Sequence, residues 1–442
     1  MQISIGWCRI ARVFLPFAAG YYLSYLFRTI NALIGSHLSS DAGLGTADLG
    51  LLTSVYFLVF AAAQIPVGIL LDRFGPRRVQ SVLLLVAAAG AELFAISTGF
   101  LSLLIARAMI GLGVAAALTA GLKSIIIWSS RERVALLNGY MVMLGSLGAV
   151  TATVPVEHLL AWIGWRQLFE ILAAATGAVA ILIYVVVPER GIVPSTAPAT
   201  LSSVFGDQRF WRMAPLSATC VGSAWSLQGL WASPWLVDVE GLDRASLVGQ
   251  LFTMSIVLSG GAWLFGTMVH YLKRRGIGAE TILAIVAVLF IAAESALVLR
   301  APLPSVLPWS VVAIVGTATV VSFAVIADYF PPELAGRANG ALNVLHFGWA
   351  FLAQYATGLI LEQWSANDGH RPVQAYQVAF SLNVALQIAT LIWFARPWRR
   401  SIASWRSSIL LFRPADVSYA LESVGLYEDS VILLPADDDA EW

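Results

Sequence analysis

Tyr21, Tyr25 and Arg28 are spaced four and three residues apart in "GYYLSYLFRTINALIG". On an α-helix that spacing puts all three on one face and leaves Tyr22 off it. A guanidinium keeps its charge and presents a planar fork of donors. Set beside phenol rings, it suits the carboxylate of an aromatic or apolar molecule. The stretch around it, however, is apolar enough and long enough to cross a bilayer. Arg28 lies about 15 residues into it, or ~22 Å at 1.5 Å per residue, too deep to snorkel out. Leaving it against lipid would cost at least about 2.5–3.5 kcal/mol. It must therefore face the protein interior, where it either binds an anion or pairs with an acid such as Glu92 or Asp328.

Other residues with chemistry are scattered through equally apolar surroundings. Lys123 offers a second cationic contact for an anion, or a stem that snorkels past Trp128 to the interface. Arg107 opens "RAMIGLG". Glu92 and Glu294 are each a carboxylate within an apolar run, where burial favours protonation or pairing. Glu157 and His158 stand together near the end of another run and form a pair able to titrate near neutrality. His346 lies in "NVLHFGWAFLAQ", one turn after Asn343. Gln354, Gln64, Trp225, Gln228 and Trp231 are the polar and aromatic companions available to it.

The elements that must position these groups follow from composition. Of 442 residues, 59% are hydrophobic and 12% are charged, about half the charge of a soluble chain. A bilayer core takes about 20 apolar residues per helix. Twelve segments qualify, near 13–34, 49–71, 79–99, 103–127, 139–160, 168–187, 213–236, 246–271, 280–299, 306–328, 339–361 and 376–395. Apolar runs of that length span as helices rather than as barrel strands. With the N-terminus inside, seventeen basic residues fall in inside segments and four outside, which predicts cytoplasmic termini. The run after Arg9 and Arg12 is too long for a cleaved signal, so it reads as an uncleaved first span. Two distant cysteines, Cys8 and Cys220, make no disulfide framework, and zero formal net charge gives no reason to expect nucleic acid.

The halves repeat. "LGLLTSVYFLVFAAAQIPVGILLDRFGPRR" is echoed by "VGQLFTMSIVLSGGAWLFGTMVHYLKRR", aligning Gly50 with Gly249, Gly68 with Gly266, and His270 with the position of Asp72. Farther on, Gly139 aligns with Gly340, and Glu92 and Glu294 are equivalents. The domain reading is an N-terminal bundle over 1–188, a Pro/Ser/Thr-rich linker over 189–211, a C-terminal bundle over 212–400 and an acidic tail over 401–442.

Between spans 2 and 3 stands "GILLDRFGPRR". Asp72 is placed to pair with arginines or to cap a helix, Gly75 and Pro76 make the turn, and Arg73, Arg77 and Arg78 hold the loop inside. This loop and "RAMIGLG" of span 4 resemble the signature motifs of the major facilitator superfamily, over about residues 9–400. The resemblance implies an all-α polytopic fold of twelve helices in two pseudo-symmetric six-helix bundles. It also implies alternating access, action as a monomer, and gating or coupling roles for Asp72, Arg73, Arg77 and Arg107. Span 1 is similar to that of the organophosphate and organic-anion transporters, which implies that Arg28 binds the substrate's anionic group. The organophosphate branch pairs that arginine with another in span 7. Here span 7, "LSATCVGSAWSLQGLWASPWL", is uncharged, which favours a less charged anion such as a monocarboxylate. Nitrate transporters carry arginines within spans 2 and 8, and neither is present here.

The sequence reading is thus an inner-membrane importer of a small organic anion, coupled to protons. Its substrate residues are Arg28, Tyr21, Tyr25, Lys123, Trp225, Gln228 and His346. Its coupling or gating residues are Asp72, Arg73, Arg77, Arg107, Glu92, Glu294 and Glu157. Two rivals are an exporter, disfavoured by the lack of a Gly-Pro pair in span 5, and a membrane sensor on the same fold. There is no GxSxG, HExxH or phosphate loop, so no enzyme, metal or cofactor is expected.

Overall fold

The structure is a computed structural model that describes residues 2–129, 131–189, 201–366 and 370–396. The side chains of 2–10, 131, 132, 135, 262, 266, 270, 332 and 333 lie outside that description, as do residues 190–200 of the linker and the acidic tail.

Every predicted span is helical. Span 1 is Gln2–Thr29 continued by Asn31–Ala42. Thr46–Ile96 holds spans 2 and 3, reversed at Gly75, whose φ of 80° is one that only glycine adopts without strain. Span 4 is Phe100–Val114 plus Ala117–Trp128. Span 5 is Arg131–Thr151 running on into Val154–Val186, which reverses at Gly164 to become span 6. Span 7 is Gln208–Ser226, a π-helical turn Leu227–Trp231, and Ala232–Asp238. Spans 8 and 9 are Arg244–Arg274 and Ala279–Val298. Span 10 is Val306–Val315 plus Thr319–Tyr329. Spans 11 and 12 are Pro332–Glu362 and Val373–Ala395. Several run beyond the apolar segments that predicted them. A helix continues for a turn or more once its polar groups reach the headgroup region, so apolarity marks the crossing and not the helix ends.

The near end is the one where the chain starts, and the far end is where spans 1 and 2 join. The two halves meet at the far end. Gly50 of span 2 lies against Gly358 of span 11 so closely that an added Cβ would come within 3.3 Å of the opposite Cα. There the Ala47 amide donates to Glu362 (3.1 Å) and Arg371 donates to the Thr46 hydroxyl (2.8 Å). Arg244 donates through Nη2 and Nε to both oxygens of Glu157 (2.6 and 2.7 Å) and through Nη2 to the Leu33 carbonyl (3.2 Å). Deeper in, Gln354 donates to Thr53 (2.6 Å).

At the near end, the observed ion pairs each stay within one half. Lys123 meets Asp72 at 2.5 Å, Lys273 meets Asp328 at 2.7 Å, and Arg212 meets Glu280 at 3.0 Å. In the second half Lys273 does what Asp72 does in the first, tying a span end to the next even-numbered span.

Candidate functional site

Arg28 sits at the seam between the halves. Its guanidinium lies 4.0 Å from the ring centre of Tyr25 in its own helix and 5.0 Å from that of Trp225 in span 7. Tyr21 and Tyr25 meet edge to face at 5.1 Å, so the one-face reading of span 1 holds in three dimensions. Tyr22 faces elsewhere and donates to Thr151 of span 5 at 2.7 Å. Gly145 and Gly148 in "GSLG" let span 5 press against Tyr21 and the Tyr22 carbonyl, where any Cβ would collide. Among the described residues, no carboxylate pairs with Arg28. The sequence alternative of Glu92 or Asp328 is not made, because Asp328 is held by Lys273 and Glu92 is exposed on span 3.

Beyond Trp225 the seam continues through aromatic rings that the sequence did not single out. Trp225 lies 4.5 Å from Phe347 of span 11, and Phe347 lies 3.9 Å from Phe60 of span 2, which is 5.9 Å from Tyr56. Two of these contacts cross between halves: Arg28 to Trp225, and Phe60 to Phe347. The indole N–H of Trp225 donates to the Gly316 carbonyl (2.7 Å), which fixes the ring. Gln228, one turn on and inside the π-helical segment, is 7% exposed, and its amide nitrogen has no partner among the described residues. It lines a small void at the seam with Thr29 and Ser255. π-helical turns are frequent at functional sites because the widened turn re-aims its side chains.

The remaining candidates fall elsewhere. Lys123 is a correction: its ammonium bonds Asp72 and the Leu71 carbonyl (2.9 Å) at the near end, and so is not part of the Arg28 cluster. Asp72 accordingly takes a lysine, not an arginine. Arg77 donates to the Tyr184 carbonyl (2.8 Å), Arg77 and Arg78 pair with Glu189, and Arg73 lies over Phe74. Arg107 is fully buried inside the first half. It donates to the Phe27 carbonyl (3.3 Å) behind span 1, with Tyr56 and Phe94 within 6 Å. Its Nε and Nη1 have no partner among the described residues.

His346 is buried, and its Nε2 shares a hydrogen bond of 2.7 Å with Ser217, which in turn meets Ser322 at 2.6 Å. Its ring packs edge to face on Trp225, so it supports the wall rather than forming it. Glu294 is fully buried and accepts from the amides of Asn383 and Gln387, both at 2.7 Å. Ser223 and the Trp349 indole extend that network to spans 7 and 11. Glu157, read from sequence as a partner for His158, instead takes Arg244, while His158 bonds the Val154 carbonyl.

Comparison with known proteins agrees with this architecture. A family model described as Major Facilitator Superfamily matches residues 17–354. A probable sulfoacetate transporter of Cupriavidus necator is 27% identical over 35% of this chain and 36% of its own length. A probable L-galactonate transporter of Escherichia coli is 26% identical over 36% and 35%. Those matches span about a third of each relative. A hexuronate transporter of Escherichia coli is 23% identical over 63% and 68%. Among solved structures, a bacterial homologue of the human lysosomal transporter Spinster, in an inward-facing conformation, superposes with a TM-score of 0.67 at 18% identity, covering 87% of this chain and 95% of that one. The D-xylose–proton symporter gives 0.66 at 15%, covering 86% and 97%. Twelve spans, a repeat of two halves, a motif loop stapled by Asp72, and a match over most of the length have one reading: the chain belongs to the Major Facilitator Superfamily.

Proposed function

We propose that the protein carries a small organic monoanion across the inner membrane by alternating access, importing it together with a proton. The observation that carries this is Arg28: a permanent cation at the seam, stacked on one aromatic ring from each half, with no carboxylate paired to it among the described residues. An anion there neutralises a charge that is otherwise costly in the membrane interior. It also touches both halves at once, which is what couples binding to their rocking. The names of the matched relatives, transporters of sulfoacetate, galactonate and hexuronate, support an organic acid.

In this reading, Tyr21, Tyr25, Trp225 and Gln228 complete the binding site, and His346 holds Trp225 in place. The bundles over 1–188 and 212–400 move about the linker. With the basic end of the molecule in the cytoplasm, the near end is cytoplasmic and the halves are closed on the outside. Arg244–Glu157 and the Arg371–Glu362–Thr46 group form the outer latch. Glu294, held by two amides and paired with no cation among the described residues, is the group suited to carry the proton.

The test is thermal stabilisation of purified protein by a panel of carboxylates, run beside Arg28→Ala. Specific binding raises Tm in step with RT ln(1 + [L]/Kd), about 2.7 kcal/mol at a hundredfold excess over Kd. A carboxylate that stabilises the wild type and not the variant supports the reading. Equal stabilisation of both by cations, with no response to any anion, would sink it. Counterflow of the labelled hit in proteoliposomes then separates a carrier from a sensor, which binds without moving substrate.

A further inference from the structure

The relatives described above are named for small or hydroxyl-rich acids, whereas the seam of this chain carries a run of aromatic rings. Resting on the anion reading above, we infer that the substrate is an aromatic monocarboxylate. Its carboxylate meets Arg28 and Gln228, and its ring extends the stack formed by Trp225, Phe347 and Phe60.

A guanidinium stacked on aromatic rings offers an anion its N–H edge. Arg28 lies over Tyr25 at 4.0 Å and Trp225 at 5.0 Å, so an anion reaches it edge-on, in the planar fork geometry that a carboxylate matches. Gln228 contributes a buried amide donor without a partner among the described residues. Together they supply two donors to one carboxylate. Beyond them the wall changes character. Trp225, Phe347 and Phe60 follow one another at 4.5 and 3.9 Å, and Phe60 is partly exposed.

A sugar acid needs a donor or acceptor for each hydroxyl, since each one buried without a partner is penalised. Of the amides that would serve, Gln354 and Gln64 have their N–H groups bonded, and Gln354 Oε1 is left as an acceptor. Gln354 bonds Thr53, and Gln64 bonds the carbonyls of Phe60 (3.3 Å) and Ala115 (3.4 Å). The Trp225 indole is taken by Gly316. A flat apolar ring needs none of them and gains an offset-stacked neighbour at the partly exposed Phe60. Because Phe60 and Phe347 come from opposite halves, a ring seated on them is gripped by both.

The experiment measures Kd for benzoate, cyclohexanecarboxylate and D-glucuronate by calorimetry in detergent, on the wild type, Phe347→Leu, Phe60→Leu, Gln228→Leu and Arg28→Ala. Benzoate is expected to bind about tenfold more tightly than cyclohexanecarboxylate and at least a hundredfold more tightly than D-glucuronate. Phe347→Leu and Phe60→Leu each weaken benzoate about tenfold and remove its advantage over cyclohexanecarboxylate. Gln228→Leu weakens both apolar acids alike. If D-glucuronate binds best and depends on Arg28, the aromatic assignment is overturned while the anion reading stands. If the two apolar acids bind equally in every variant, the rings act only as an apolar wall and the assignment again fails. If nothing depends on Arg28, both readings fall together.

Discussion

At the near end, Asp72 on span 2 bonds Lys123 on span 4, while Lys273 on span 8 bonds Asp328 on span 10. The two contacts hold the same place in the two halves with their signs exchanged. An ion pair depends on the product of its charges, so exchanging them leaves the attraction intact. What differs is everything the isolated charges would meet next, and that gives each half its own electrostatic character. The centre shows the same divergence. The first half brings Arg28 and Arg107, and the second brings amides, hydroxyls, His346 and Glu294. The repeat copies the frame and leaves the polar residues free to specialise. Glu92 and Glu294 make the point again: one is exposed on span 3, the other wholly buried under two amide donors.

The largest effect that would sharpen this contrast is at Glu294. Glu294→Ala strands the Asn383 and Gln387 amides, and is expected to cost about 3 kcal/mol of stability, read as a fall in Tm in detergent. Glu294→Gln, which keeps the shape, should cost less than half as much. A loss no greater than at Glu92 would erase the difference between the halves.

Next is the far end. Arg244→Ala removes a two-pronged pair that joins the halves and is expected to move the balance toward far-end opening by about 1 kcal/mol, or roughly fivefold in population. Spin labels on the far ends of spans 5 and 8 would report it. An unchanged distance distribution means the latch lies elsewhere.

The near-end staples come third. Asp72→Lys or Lys123→Asp alone should cost about 0.5–1 kcal/mol, since both groups are partly exposed. The double exchange, which gives the first half the polarity of the second, should return to within about 0.5 kcal/mol of wild type by the same melt. Failure to recover would show that the sign itself matters, through a partner met in another conformation. The smallest effect is expected at Glu92→Gln, within about 0.5 kcal/mol, as for other exposed positions. A larger shift would mean that the carboxylate serves something beyond its own helix.

Much of this was legible in the residues. Twelve apolar runs give twelve spans because the bilayer fixes their length, and Tyr21, Tyr25 and Arg28 share a face because helical spacing requires it. The wall opposite was not legible. Phe60 and Phe347 are two of many phenylalanines in apolar helices, and nothing local marks one that meets its counterpart across 287 positions of chain. Pairing had the same limit. Lys123 looked available for substrate because its partner, Asp72, is 51 residues away, and Glu157 had a nearer candidate in His158 than in Arg244. Charge type and depth can be read along a chain, whereas partnership depends on how the spans are arranged around one another.

The widened turn at Leu227–Trp231 has one more consequence. One residue of an α-helix corresponds to about 100° of rotation. A single wide turn therefore puts the two ends of span 7 out of phase by about that angle. Upstream of the slip, Trp225 faces Arg28; downstream, Trp231 bonds the Gln354 carbonyl of span 11 at 3.0 Å. Closing the turn to ordinary α-helix would rotate one of these rings off its partner and leave the other in place. Span 7 can thus change one contact by twisting about its own axis, a smaller movement than the tilt of a whole bundle.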